Sequence, residues 1–291
     1  MTVPCAGIYN SGMSKVIFTD VDGTLINYQT ICPESAFRAV NQARRNGHKV
    51  VLCTGCSKYE LSHRNLPETD GLIGANGGYV EYHGKVIMHN GLTPDQVSSI
   101  VNWCRKKNLG LYLESNSGLY CNDLFMKQGP AALARYVSGK NGSKTTAEET
   151  AREFLKKYTC LPDCQLRNDD TNKISFVLSG YRDYLDAVKD FPELAVNTWG
   201  GKDEQALFGD LSPHGINKKQ AVRALLEHLG IDSKDTIAFG DARIDLPMFE
   251  LCGYSVAMGN GGPEAKRAAD HITDDVDDDG LYKAFKYLGL I

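Results

Sequence analysis

The stretch VIFTDVDGTLI at residues 16–26 decides the fold. Its apolar first half predicts a buried strand, which runs directly into Asp20 and Asp22. Residues two positions apart in an extended chain project to the same side, so the two carboxylates would repel each other unless positive charge lies between them. The sequence therefore predicts a cation or a shared proton at the end of this strand.

Length and composition indicate one large domain or two ordinary ones. The chain has 291 residues, and 42% of them are hydrophobic, which is enough for a core. A net charge of -4 and a pI near 6.0 offer no basic surface for nucleic acid or an anionic membrane, so we expect a small-molecule partner. We find neither a stretch typical of a membrane span nor a signal peptide, which predicts a cytoplasmic protein.

The nine cysteines are scattered along the chain, which favours free thiols over a disulfide framework. Cys53 and Cys56 have the C-x-x-C spacing that can mark a redox pair. Cys53 belongs to an apolar strand, however, so we favour two packed or half-exposed thiols. A redox or metal-binding protein that uses Cys53 and Cys56 stays as an alternative.

Strand and helix patterns alternate at both ends of the chain. Apolar strands at 15–19, 49–53 and 71–75 are separated by helical segments, and the same rhythm returns after Pro213 with a helix from about 217 and the strand TIAFG at 236–240. The middle of the chain mixes short strands and helices. We therefore predict an α/β fold with a doubly wound, Rossmann-like parallel-sheet core at 1–84 and 212–291 and an inserted α+β cap domain at 85–211.

Polar residues follow the predicted core strands, where ligands of open α/β sheets bind. These candidates are Asp20 and Asp22 after the first strand, Thr54 and Gly55 after the second, Lys218 at the start of a helix, and Asp241 with Asp245 after TIAFG. Mg²⁺ prefers oxygen ligands and takes few carboxylates. The carboxylates of Asp20 and Asp241 and the backbone carbonyl of Asp22 are therefore candidate metal ligands.

These motifs resemble those of the haloacid dehalogenase superfamily, in particular its Cof-type (class IIB) sugar phosphatases. The matching segments are DVDGTL at 20–25, TG at 54–55, ANGG at 75–78, GINKKQAV at 215–222, GDARID at 240–245, and VAMGN at 256–260 followed by DDDG at 277–280. The match covers nearly the whole predicted core. The resemblance implies a Mg²⁺-dependent phosphatase of small phosphorylated metabolites, with sugar phosphates as the expected substrates.

The resemblance also implies a role for each candidate residue. Asp20 would attack phosphorus to give an aspartyl-phosphate, and Asp22 would protonate the leaving alcohol and then activate water. Asp245 would support the site, and the cap domain would set substrate specificity. The phosphoryl oxygens would be held by Thr54, Lys218 and the backbone amides of Val21 and Gly55.

Two positions depart from the family pattern. Many members have arginine directly after Thr-Gly, where this chain has Cys56, and asparagine in the GDxxND motif, where this chain has Ile244. Because the family's asparagine helps to hold the phosphate, the second departure predicts weakened phosphate affinity. A degenerate member that binds a phosphorylated ligand without turnover therefore stays as a further alternative.

Overall fold

The computed structural model describes residues 14–141, 149, 151–152, 155–166, 169–200 and 206–291. Strands and helices alternate in the first part, as the sequence predicts. The elements there are β1 (Val16–Thr19), α1 (Glu34–Arg45), β2 (Lys49–Cys53), α2 (Lys58–Ser62), β3 (Gly71–Gly74), β4 (Tyr79–Tyr82) and β5 (Lys85–His89). The tight turn between the last two strands is made by His83 and Gly84, both with positive φ.

The middle of the chain mixes short strands with helices. Its elements are α3 (Pro94–Lys106), β6 (Leu111–Ser115), β7 (Leu119–Cys121), α4 (Asp123–Asn141), β8 (Tyr158–Cys160), β9 (Thr171–Val177), α5 (Tyr181–Asp190), β10 (Leu194–Gly200) and β11 (Ala206–Pro213). A capping box starts α3, because Thr93 Oγ1 accepts the Gln96 N–H at 3.3 Å while the Gln96 side chain accepts the Thr93 N–H at 2.9 Å.

The last part returns to alternating helices and strands. Its elements are α6 (Lys218–Leu229), β12 (Thr236–Gly240), α7 (Leu246–Phe249), β13 (Tyr254–Ala257), α8 (Pro263–Ala268), β14 (His271–Ile272) and α9 (Gly280–Tyr287). The side chain of Asn217 caps the start of α6 by accepting the Gln220 N–H at 3.0 Å. Within the described ranges, every helix is too short or too polar to cross a bilayer.

The chain divides into two units. Of the described residues, one unit contains those up to Cys56 together with 61–89 and 216–291, and the other contains those within 57–60 and 90–215. The changes near 89 and 215 lie beyond the predicted limits of 84 and 211. The physical reason is strand pairing, since β5 pairs with β4 in the first unit and β11 continues to Pro213 in the second.

An eight-stranded sheet forms the first unit, in the order β14-β13-β12-β1-β2-β3-β4-β5. The strands from β14 to β3 pair in parallel, and the β4–β5 hairpin is antiparallel. Ile17 of β1 shares a buried cluster with residues of α1 and α9, whereas Val16 and Phe18 share another with residues of α6. Helices therefore cover both faces, which confirms the predicted doubly wound α/β core.

A six-stranded sheet forms the second unit, in the order β10-β11-β9-β6-β7-β8. Its strands pair antiparallel except for β7 and β8. Leu113 and Phe176 pack with apolar residues of α3 and α5, whereas Tyr112 and Phe208 pack with Phe125 of α4. This unit therefore has its own hydrophobic core.

Candidate active site

The loop at residues 20–26 follows β1 and is held by its own backbone. The carbonyl of Val21 accepts the N–H groups of residues 24–26 at 2.9–3.3 Å. Gly23 has a φ of +84°, a conformation that favours glycine. A Cβ atom there would lie 2.3 Å from Asp241 Oδ2, so the glycine also allows the loop to approach Asp241 closely.

Lys218 links two carboxylates at the centre of the site. Its Nζ donates to Asp20 Oδ1 at 2.7 Å and to Asp245 Oδ1 at 2.6 Å, and its side chain is fully buried. Lys218 is the first residue of α6, and Asp20 follows β1, which pairs in parallel with β12. Helix capping and strand pairing therefore place these groups together, with Asp245 reached from the loop after β12.

The side chain of Asp245 fixes the backbone of the loop after β12. Its Oδ2 accepts the N–H groups of Asp241 and Ala242, both at 3.0 Å, while its Oδ1 accepts from Lys218. The site cannot accommodate a side chain at Gly240, where a Cβ would lie 2.5 Å from the Asp245 carboxyl carbon. Asp245 therefore holds the backbone of Asp241 and the ammonium group of Lys218.

Asp241 presents one oxygen that lacks a protein partner. Its Oδ2 accepts the Tyr28 hydroxyl at 2.6 Å, whereas its buried Oδ1 has no hydrogen-bond partner among the described residues. Carboxylate oxygens of Asp20, Asp241 and Asp245 lie within 4.8 Å of one another. A buried carboxylate oxygen without a donor is costly unless a cation binds it, so these hard oxygen donors fit Mg²⁺.

The charges of the buried cluster are not balanced by Lys218 alone. Three carboxylates, those of Asp20, Asp241 and Asp245, face a single ammonium, so that full ionisation would leave two negative charges. Burial raises the pKa of Asp20 to about 8; Lys218 opposes this shift, while the neighbouring carboxylates reinforce it. Burial by itself would lower the pKa of Lys218, but Asp20 and Asp245 outweigh it and raise the pKa. A cation bound beside Asp20 would therefore favour the ionised form of its carboxyl group.

Asp22 belongs to a different set of contacts from Asp20. Arg64 Nη1 donates to Asp22 Oδ1 at 2.8 Å, and the Cys56 thiol lies 3.5 Å from Asp22 Oδ2. The Asp22 side chain is 44% exposed. The sequence predicts a cation or a shared proton between the two aspartates, but the described structure places a separate side-chain cation beside each: Lys218 beside Asp20 and Arg64 beside Asp22. The reason is that the chain turns after Asp20, so the extended geometry assumed for this pair does not continue.

The loop at 54–56 follows β2 and is fixed by hydrogen bonds to the segment after β3. The N–H of Asn76 donates to the Thr54 carbonyl, and the Thr54 hydroxyl accepts the Cys56 N–H at 3.2 Å. A Cβ at Gly55 would lie 3.0 Å from Asn76 Oδ1, a buried oxygen without a hydrogen-bond partner in the described structure. The loop therefore places Thr54 and Gly55 beside polar atoms of Asn76.

Comparison with known proteins decides the family. A model of the haloacid dehalogenase-like hydrolases matches residues 17–285. The chain belongs to this family. YkrA of Bacillus subtilis (strain 168), which is provisionally named a phosphatase, is 31% identical to it over 285 residues, covering 96% of this chain and 99% of YkrA.

Solved structures share the fold of this haloacid dehalogenase-like hydrolase. A hypothetical protein from Geobacillus kaustophilus HTA426 has a TM-score of 0.79 at 27% identity, covering 96% of this chain and all of that chain. The subclass IIB sugar phosphatase BT4131 has a TM-score of 0.69 at 24% identity over 96% of this chain and all of its own. The predicted family and the predicted enzyme class, a phosphatase, are confirmed by this membership.

The structure of this hydrolase links four of the eight predicted site residues by direct contacts. Lys218 connects Asp20 with Asp245, and Asp245 holds the backbone of Asp241. Asp22 contacts Cys56, which follows Thr54 and Gly55, while Val21 lies between the two aspartates of the first motif. Their roles in the reaction belong to the proposal below.

Three residues that contact the predicted site residues or the loop at 20–26 were not predicted from the sequence. Tyr28 donates to Asp241, Arg64 donates to Asp22, and Asn260 Nδ2 donates to the Gly23 carbonyl at 2.7 Å. Asn260 stands in the VAMGN segment, so the resemblance could have singled it out. Neither of the other two lies in a recognisable motif, and only the folded chain shows what their long side chains reach.

The two cysteines of the C-x-x-C segment form no disulfide bond within the described structure. Cys53 is fully buried in β2, and burial raises its pKa, which disfavours the reactive thiolate. Cys56 is partly exposed and contacts Asp22. These environments support the preferred interpretation of packed and half-exposed thiols over a redox pair.

Proposed function

We propose that this haloacid dehalogenase-like hydrolase is a Mg²⁺-dependent phosphatase of small phosphorylated metabolites, with sugar phosphates as its substrate class. The observation that carries the proposal is the contact of Asp20 with buried Lys218 next to Asp241 Oδ1, which has no hydrogen-bond partner in the described part of the chain. A nucleophilic carboxylate, a fixed cation and a candidate metal ligand are the groups that phosphoryl transfer requires.

In the proposed reaction, Asp20 attacks phosphorus and forms an aspartyl-phosphate as the bond to the leaving oxygen breaks. Asp22 gives its proton to that oxygen, and afterwards takes a proton from the water that attacks the aspartyl-phosphate. The second step releases inorganic phosphate and returns Asp20 to its carboxylate form. The partial exposure of Asp22 suits this role, because its carboxyl group must meet both the alcohol and the water.

The remaining residues hold the phosphoryl group. An ammonium group has three donors, and Lys218 uses two of them on Asp20 and Asp245, so the third can reach a phosphoryl oxygen. The Thr54 hydroxyl and the backbone amides of Val21 and Gly55 are the other proposed donors. Mg²⁺, held by Asp20, Asp241 and the Asp22 carbonyl, would supply positive charge for the phosphoryl oxygens.

The second unit is proposed to set substrate specificity as a cap domain. Its own sheet and buried cores make residues 90–215 a separate folded body rather than an extension of the catalytic sheet. Two further parts of this proposal are sugar phosphates as substrates, which the resemblance to Cof-type sugar phosphatases implies, and a cytoplasmic location, as expected from the sequence.

Purified wild-type protein tests the proposed function directly. We expect steady hydrolysis of p-nitrophenyl phosphate that stops with EDTA and returns with Mg²⁺, and higher kcat/KM for some members of a panel of sugar phosphates. Tight binding of phosphorylated ligands without phosphate release would instead support the alternative of a degenerate family member. Activity that is unaffected by EDTA would contradict the metal requirement.

Asp241→Ala should weaken Mg²⁺ binding more than it affects the fold. Removal of a carboxylate ligand is expected to raise the Mg²⁺ concentration for half-maximal activity by about tenfold or more, with partial recovery at high Mg²⁺. The measurement is a Mg²⁺ titration of initial rates. Glu68→Ala is the matched control, because the side chain of Glu68 is 91% exposed; an Asp241→Ala titration that coincides with this control would remove Asp241 from the site.

Ile244→Asn should increase phosphatase activity. Ile244 is 46% exposed, so its replacement removes little buried apolar surface and is expected to leave stability within about 0.5 kcal/mol. An added hydrogen bond to a charged phosphate contributes about 1.5–3 kcal/mol, or roughly ten- to a hundredfold in kcat/KM for p-nitrophenyl phosphate. Unchanged kinetics of the folded variant would show that another group already makes this contact.

A further inference from the structure

Both carboxylate oxygens of Asp22 have a neighbour from the same short segment of chain. Arg64 Nη1 donates to Oδ1 at 2.8 Å, and the Cys56 thiol donates to Oδ2 at 3.5 Å. The two neighbours also contact each other, since Arg64 Nη2 lies 3.2 Å from Cys56 Sγ. Arg64, Cys56 and Asp22 therefore form a closed triangle of side-chain contacts.

The geometry of Arg64 is suited to holding a carboxylate in one orientation. Its side chain is 16% exposed, whereas Asp22 is 44% exposed, so the more buried partner is the guanidinium. A planar guanidinium loses little additional freedom when it makes directed hydrogen bonds. Arg64 is further fixed by its backbone N–H, which donates to the Leu61 carbonyl at 3.0 Å.

We propose that Arg64 is the positioning residue for Asp22, the acid and base of the proposed phosphatase reaction. From eight positions after Cys56 along the chain, Arg64 extends past the Cys56 sulfur to Asp22. The inference rests on the proposed function, because it assigns Arg64 to that reaction.

Positioning of the acid has a consequence that depends on the leaving group. Alkyl and sugar alcohols are poor leaving groups and need a proton from Asp22 as the bond to phosphorus breaks, whereas p-nitrophenolate leaves without one. The ratio kcat/KM reports the steps up to formation of the aspartyl-phosphate, and kcat also includes its hydrolysis, for which Asp22 acts as base. If Asp22 is no longer held in place, kcat/KM should therefore fall more for sugar phosphates than for p-nitrophenyl phosphate.

Arg64→Ala tests this difference. We expect kcat/KM for a sugar phosphate to fall about 10- to 100-fold and kcat/KM for p-nitrophenyl phosphate to fall less than about threefold, the pattern also expected of Asp22→Asn. Arg44→Ala is the matched control, since Arg44 is a partly buried arginine of the same unit that pairs with Asp70 at 3.2 Å. Equal losses for both substrates in Arg64→Ala would show a merely structural role and contradict the proposal.

An arginine placed at position 56 provides a rescue experiment, because Cys56 also contacts Asp22. The double variant Cys56→Arg with Arg64→Ala returns a guanidinium beside Asp22 and should recover most of the sugar-phosphate kcat/KM lost in Arg64→Ala. Arg64→Lys should recover less, because one ammonium cannot span Asp22 Oδ1 and Cys56 Sγ as the guanidinium does. No recovery in the double variant would contradict the requirement for a guanidinium that holds Asp22.

Crystal structures of the wild type and Arg64→Ala separate this inference from the proposed function. We expect the Asp22 carboxylate to leave its position or to take several orientations in the variant, with the Asp20–Lys218 contact unchanged. An Asp22 that keeps its single orientation would overturn the positioning role even if both proteins are active. A wild type without phosphatase activity would count against the proposed function, whatever the orientation of Asp22.

Discussion

Asp20→Asn should reduce kcat by about a thousandfold or more while the protein stays folded. An amide is nearly isosteric with a carboxylate but cannot form the aspartyl-phosphate, so the proposed two-step route is closed. Asp20 lies against Lys218 in a cluster with excess negative charge. Loss of one carboxylate charge there relieves repulsion, and we therefore expect no loss in the free energy of unfolding.

Three measurements check this expectation. Steady-state rates with p-nitrophenyl phosphate and Mg²⁺ give the loss of turnover, and thermal unfolding shows whether the fold is kept. Rapid quenching followed by mass spectrometry should find a phosphorylated peptide that contains Asp20 in the wild type and none in the variant. A variant that keeps a tenth of the wild-type rate, or phosphorylation at a different residue, would contradict the assignment of Asp20 as nucleophile.

The centre of the site was predictable because local sequence determines where strands end. Asp20 and Asp241 each follow a buried apolar strand, and β1 and β12 pair in parallel, so their carboxyl ends meet at one edge of the sheet. Lys218 follows the helix cap Asn217. Strand ends and helix caps depend on a few neighbouring residues. The order of these elements along the chain then suffices to place Asp20, Asp241 and Lys218 together.

The contacts that could not be predicted depend on the reach of long side chains. Tyr28 and Arg64 lie in segments without a motif. Each contacts a carboxylate that is distant in the sequence, Asp241 for Tyr28 and Asp22 for Arg64. Helix α4 is also hard to predict from local sequence, because the dipeptide Gly129-Pro130 inside it is typical of a turn. The chain continues as helix through Pro130, where Phe125 and Leu133 pack into the core of the second unit.

Removal of Lys218 should have the largest effect on stability of any single change in the site. Lys218→Met replaces a fully buried ammonium with a side chain of similar length and leaves Asp20 and Asp245 without their cation. Breaking a buried ion pair by removing one partner costs about 3–5 kcal/mol, because the remaining charge stays buried. We expect a clear decrease in Tm together with a loss of phosphatase activity.

A neighbouring lysine on the same helix provides the control for this prediction. Lys219 pairs with Glu250 at 2.9 Å, but the two side chains are 35% and 64% exposed. Exposed ion pairs contribute about 0–1 kcal/mol, so Lys219→Met should change Tm little and leave activity intact. Equal Tm values for the two variants would show that the charges of Asp20 and Asp245 do not depend on Lys218.

The charge imbalance also predicts how Lys218→Met responds to Mg²⁺ and to a second substitution. A ligand that binds only the folded state stabilises it, so added Mg²⁺ should raise the Tm of Lys218→Met, and more than that of a variant that also lacks Asp241. The double variant Lys218→Met with Asp245→Asn removes one of the carboxylates that lost its cation. It should be more stable than Lys218→Met alone, because fewer uncompensated charges remain buried. A Tm that is unchanged by Mg²⁺ and lowered further by Asp245→Asn would contradict this electrostatic account, and would attribute the effect of Lys218 to packing.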